Sequence, residues 1–116
     1  MTFEELETSA KGESSKLIQE RVEKARIRQR ERMAERGLEN NAEMSSRELE
    51  EFCRLDARGR SLLKMAFKQL GLSARAYDRI LRVARTIADL AGDINIEAVH
   101  LAEAIQYRAL DRLKWD

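Results

Sequence analysis

Arg75, Arg79, Arg82 and Arg85 recur along the stretch LSARAYDRILRVARTIADLAG, Leu72 to Gly92. A guanidinium stays cationic and offers a planar fork of donors, which suits it to carboxylates and phosphates. What each arginine does depends on its local partners. Asp78 stands four residues before Arg82 and Asp89 four after Arg85, so both have a carboxylate one helical turn away. Arg75 and Arg79 have no carboxylate four residues away within the stretch. Arg75 also falls in the first turn after Ser73, where the helix dipole disfavours a cation by about 0.3–1 kcal/mol. A helix start capped by Ser73, with Arg75 unpaired and Arg79 in reserve one turn on, can hold an anion such as a phosphate. The plainer alternative is a solvated arginine or an ion pair to another helix.

The same stretch specifies the helix that would position these groups. Ser73 is a good N-cap, Leu72 and Tyr77 are placed as a hydrophobic staple, and Gly92 marks the stop. Tyr77, Ile80, Leu81, Ala84, Ile87, Ala88 and Ala91 form one apolar face. Ala76, Val83 and Leu90 add a second stripe, so neighbours are expected on two sides. This should be a central helix.

A second cationic stretch is RVEKARIRQRER, within a long helix expected from Ser14 to Arg36 and stopped by Gly37. Its apolar stripe is thin: Ile18, Val22, Ala25 and Met33, interrupted by Gln29. Arg21, Lys24, Arg26, Arg28, Arg30 and Arg32 outnumber Glu20, Glu23 and Glu31. One reading is contact with a phosphate backbone or an acidic partner through Arg21, Lys24, Arg28 and Arg32. The other is a solvated helix docked by its narrow stripe.

Other reactive residue types offer less. Cys53 lies between Phe52 and Leu55 and reads as a small buried side chain; as the lone cysteine it forms no internal disulfide and fits a reducing compartment. His100 has no His, Cys or paired acids at ligand spacing, so a surface or partly packed histidine is expected and no metal site. There is no G-x-x-x-x-G-K-[ST], G-x-G-x-x-G or H-E-x-x-H, and no serine with a suggestive histidine base. A complete active site is not expected, nor enzyme activity from this chain alone.

The remaining elements follow from composition and caps. The 116 residues fit one domain or a piece of a larger protein, contain no proline, and carry 37% charged residues that nearly cancel to +1. Global charge therefore selects neither nucleic acid nor membrane. No apolar run approaches a membrane span and no signal-peptide core is present, so the chain reads as cytoplasmic. Residues 1–12 read as a weakly structured linker. Asn40-Asn41 marks a turn; Ser45 with Glu48 makes a capping box, and Met44 with Leu49 a staple. Asp56 caps a helix carrying Leu62, Leu63, Ala66, Phe67 and Leu70, which should form an αα-hairpin with the central helix after Gly71. Asn95, between Ile94 and Val99, is the expected cap of a last helix burying Val99, Ala102, Ile105, Ala109 and Leu113, with Trp115 beyond it. No strand pattern or repeat is found. The fold class is all-α, four or five helices with a long basic first helix.

Taken together, LSARAYDRILRVARTIADLAG and the following HLAEAIQYR resemble the C-terminal helical domain of magnesium-chelatase-related AAA+ ATPases of the ComM/YifB-like group. RVEKARIRQRER is similar to that family's R-V-x-x-A-R-x-x-Q-x-x-R through Arg21, Val22, Ala25, Arg26, Gln29 and Arg32, and Asn41-Ala42 sits where the family has its Asn-Ala pair. The resemblance implies a lid over residues 13–116, with 1–12 leading from an upstream ATPase core. It implies ATP with Mg²⁺ in the full-length protein and none held tightly by this fragment. Its expected partners are that core, neighbouring subunits of a ring (often a hexamer) and, in the ComM-like group, DNA; no membrane is implied. In such lids a sensor 2 arginine reaches the nucleotide phosphates, and the position resembling it here is Arg75, two residues after Ser73. Arg79 is the reserve, while Arg82 and Arg85 hold the lid together. The alternative is a free-standing basic helical module that binds nucleic acid or a partner protein.

Overall fold

The computed structural model describes the backbone of residues 2–115 and the side chains of 2–5 and 15–108. Five helices succeed one another: α1 (Phe3–Met33), α2 (Ser46–Phe52), α3 (Ala57–Leu70), α4 (Ala74–Ala91) and α5 (Ala98–Trp115). Short 3-10 turns at Ala34–Arg36 and Asn41–Glu43 join α1 to α2. One isolated parallel bridge pairs Leu55 with Ile96. The all-α architecture is the one expected. No helix among the described residues is long and apolar enough to cross a membrane.

The centre is α4. It packs against α5, α1, α2 and the Asn41–Glu43 turn, and buries Ala76, Ile80, Leu81, Ala84 and Ala88. Ala84 and Ala88 are wholly shut from water, and such small side chains let helices approach closely on more than one side. Ser73 caps α4 by accepting from the Ala76 N–H at 3.2 Å, and Gly92 ends it at φ 80°, a left-handed conformation open to glycine without strain. Asp56 caps α3 through the Gly59 N–H at 2.7 Å, as expected.

Several local expectations are corrected. Residues 1–12 were expected to be weakly structured, yet α1 runs unbroken from Phe3. A capping box between Thr2 and Glu5 supplies its start, and helix-forming Glu, Leu, Ala and Lys outweigh Gly12. Ser45 makes no cap to the backbone; its hydroxyl donates to the Glu48 carboxylate, which lowers that carboxyl's pKa. The α3–α4 connection is short, but α3 packs chiefly on α5 rather than forming a hairpin with α4. Ile18, Phe67 and Val99 were placed in the core and are 48%, 44% and 64% exposed. Ala109, Leu113 and Trp115 lie outside the described side chains.

The start of α5 differs most. Asn95 is not its cap. The helix begins two residues later, at Ala98, and the Glu97 N–H donates to Nδ1 of His100 at 2.9 Å. Nε2 of the same ring lies 2.9 Å from the Asp93 carboxylate. His100 is 3% exposed, so an imidazole expected at the surface or partly packed is a buried structural cap joining the α4–α5 turn to α5. Because Nδ1 accepts, the ring is held as the Nε2–H tautomer. This turn displaces the Ile94–Val99 staple, leaving Ile94 87% exposed.

His100→Ala removes both bonds and should cost about 1–3 kcal/mol in urea unfolding, with faster amide exchange concentrated in the first turn of α5.

Candidate functional site

The four arginines of α4 divide into two pairs. Arg85, 3% exposed, is built into the protein: its guanidinium donates to the carbonyls of Ile94 and Asp93 at 2.9 Å and approaches Asp89 to 3.2 Å. Burial pushes its pKa down, and the Asp89 charge opposes that shift. Arg82 donates from Nε to the Met44 carbonyl at 2.9 Å. These two hold α4 to its neighbours. Arg75 and Arg79 are exposed on the same helix. Among the described residues Arg75 makes no hydrogen bond or ion pair.

Arg75, Arg79 and Arg82 line one side of a groove of about 490 Å³; Val83, Ile87 and Ala42 supply apolar wall. No carboxylate lines it. The arrangement suits an anion with an apolar body more than a cation. Ser73 takes the Ala76 N–H, and the preceding N–H groups of the first turn have no partner within the helix.

Behind the groove lies a buried polar cluster centred on Asp89, which is 0% exposed. Arg32 grips it with two bonds, Nη2 to Oδ1 at 2.6 Å and Nη1 to Oδ2 at 2.9 Å. Asn41 Nδ2 donates to Oδ2 at 2.9 Å, and Arg28 donates to the Asp89 carbonyl at 2.7 Å. Gln29 accepts from the Asn41 N–H at 3.1 Å. Asn41 also donates to Thr86, which lines the groove.

This corrects the reading of the basic first helix. Arg28 and Arg32, candidates for an external contact, turn inward on Asp89 because its buried charge needs compensation. Arg21 and Lys24 remain exposed. Gln29, which interrupts the apolar stripe of α1, is 9% exposed and is the polar member of the packed face. The helical spacing of Gln29 and Arg32 with buried Ala25 was the available signal; the partner in α4 was not visible from it.

Cys53 is buried as expected, 4% exposed, and burial pushes its thiol up to about 11. Among the described residues no group of His, Cys, Asp and Glu could hold a metal ion.

Residues 12–108 match the family model described as magnesium chelatase, subunit ChlI C-terminal. The chain belongs to this family. It is 46% identical over 106 residues to competence protein ComM of Haemophilus influenzae, covering 91% of this chain and 20% of that protein. YifB of Escherichia coli is 43% identical over 106 residues, with the same two shares. YifB of Salmonella typhimurium is 42% identical over 105, or 90% of this chain and 20% of that protein. The chain thus spans about a fifth of the length of these relatives. No solved structure gives a significant match. The magnesium-chelatase C-terminal domain seen here is a lid-like helical module of the kind found in ComM/YifB-family AAA+ proteins.

Two outcomes follow for the buried groups. Asp89→Ala strands two guanidiniums and should lower stability by about 3–5 kcal/mol, seen as an early thermal transition by circular dichroism. Cys53 should resist alkylation until the chain unfolds. Because its folded pKa of about 11 exceeds the ordinary 9.0, the unfolded thiol ionises first, so its contribution to stability should fall as pH rises from 9 towards 11.

Proposed function

We propose that this domain is the nucleotide-sensing lid of a ring-forming ATPase, with Arg75 as its sensor 2 arginine. The observation carrying this reading is Arg75 itself: exposed in the first turn of α4, without a partner among the described residues, on a groove lined by cations. Its guanidinium meets the phosphates of ATP bound mainly by an upstream core, and Arg79 adds a second charge. Such a contact stabilises negative charge on the transferred phosphoryl group and moves the lid with the state of the nucleotide.

The groove fits the anionic part of that ligand and not its metal. With no carboxylate in the lining, Mg²⁺ belongs to residues of the core. Ser73 fixes the start of α4 and so the direction in which Arg75 leaves it. In this reading α1 continues from the core, neighbouring subunits complete the ring, and DNA is the material remodelled. Arg21 and Lys24 are then the α1 cations left for a DNA or subunit contact.

Arg75→Ala, introduced with the ATPase core attached, should reduce ATP hydrolysis by about tenfold or more while helicity and melting temperature stay unchanged. Arg79→Ala should have a smaller effect. Full turnover by the Arg75 variant would remove that residue from the mechanism.

A further inference from the structure

A second groove, of about 360 Å³, opens along α3 and shares no lining residue with the arginine groove. Carbon makes its interior: half-buried Leu55, buried Leu63, and Phe67 and Tyr77, which are 44% and 37% exposed. Arg60, Lys64 and Lys68 edge it and are all exposed. They recur every four residues on α3 and so stand about 6 Å apart along its axis. None of the three makes a hydrogen bond or ion pair among the described residues, although the chain contains 21 acids. No acid lines the groove.

The hollow takes carbon, and its edge takes negative charge at intervals of one helical turn. An amphipathic helix meets both demands when a row of Asp or Glu, spaced four residues apart, runs beside a large apolar side chain. Its acids repeat at the interval of the cations, and the apolar anchor enters the hollow. A single nucleic-acid strand meets only the second demand. Phe67 and Tyr77 are more than half covered, so they wall the hollow and do not stand clear as stacking platforms. A net charge of +1 also gives the chain no long-range pull on a polyanion.

We propose that the α3 groove docks an acidic amphipathic helix of a partner protein, its apolar anchor between Phe67 and Tyr77 and its carboxylates against Arg60, Lys64 and Lys68. The buried anchor carries most of the affinity, as single aromatic side chains do at such contacts. The exposed rim pairs guide the approach, fix the register and are screened by salt. Tyr77 lies two residues from both Arg75 and Arg79, hence on the other side of α4. A docked helix therefore leaves the arginine groove open, and the proposal does not rest on the role of Arg75.

The test is a fluorescence-anisotropy titration of the full 116-residue chain against a labelled, stapled alanine-based helix with Glu at every fourth position and one Trp beside that row. Binding should saturate and weaken as salt is added. Replacing the probe's Trp with Ala, or making Phe67→Ala or K64E/K68E in the protein, should each weaken binding by about tenfold or more, with helicity unchanged. A probe carrying Lys in place of Glu should bind K64E/K68E better than it binds the wild type, which misfolding cannot imitate. Arg75→Ala should bind like the wild type, which separates this test from that of the nucleotide site. Absence of saturable binding would overturn the proposal. So would binding indifferent to the Trp anchor, binding that survives K64E/K68E, or a labelled single-stranded oligonucleotide that occupies the groove more tightly than the probe. Binding that vanishes once the ATPase core is attached would do the same, since the groove is then covered from within its own protein.

Discussion

The structure depends on one carboxylate kept from water. Asp89 sits where α1, α4 and the Asn41–Glu43 turn meet, and Arg32, Arg85 and Asn41 all bond to its side chain. Taking such ions out of water costs several kcal/mol each, and attraction offsets this only when geometry is good and the remaining donors and acceptors are filled. Here the Arg32 fork is two-pronged and backbone carbonyls take both terminal nitrogens of Arg85, leaving its buried Nε as the donor without a hydrogen bond. The gain is register more than stability. Ala25 and Met33 give α1 a thin apolar seam on which a helix could slide by a turn; a bidentate pair to one buried acid permits a single position.

That cluster also sets the shape of the arginine groove. Asn41 reaches from Asp89 to Thr86, and the Thr86 hydroxyl donates to the Arg82 carbonyl one turn back. Arg82 in turn holds the Met44 carbonyl, beyond the turn that carries Ala42. Both walls are thereby tied to one buried centre. Arg75 is the cation left outside this economy, although its place in the first turn is unfavourable by about 0.3–1 kcal/mol. A residue that breaks a local rule with no internal compensation is what a site for an external group looks like.

What the sequence revealed follows the range of each signal. Caps at Ser73 and Asp56 and the stop at Gly92 depend on residues within one turn, and the structure has them all. The apolar face of α4 and the burial of Cys53 were readable for the same reason. His100 was not, because its role as a cap is decided by the turn that brings Asp93 beside it. Arg28 and Arg32 looked like surface cations because their partner lies 57 or more residues away in the chain. Helical periodicity shows which residues share a face, and not which distant group that face will meet. Arg75 was legible as a cation in a helix's first turn with no carboxylate four residues away.

The fixed register of α1 gives its first half a mechanical meaning. Among the described side chains the buried ones of α1, Ala25, Gln29 and Met33, all lie in its second half. Because the helix is continuous, the direction of its first half is set by the same Arg32–Asp89 clamp that holds the arginine groove together. A flexible tether would let whatever lies at the far end of α1 move independently of α4. A helix anchored at Ala25, Arg32 and Met33 does not: turning the helix means turning the cluster, and turning the cluster moves Thr86 and Arg82 in the groove wall. The buried acid thus joins the first half of α1 to the arginine groove, and it does so by geometry alone.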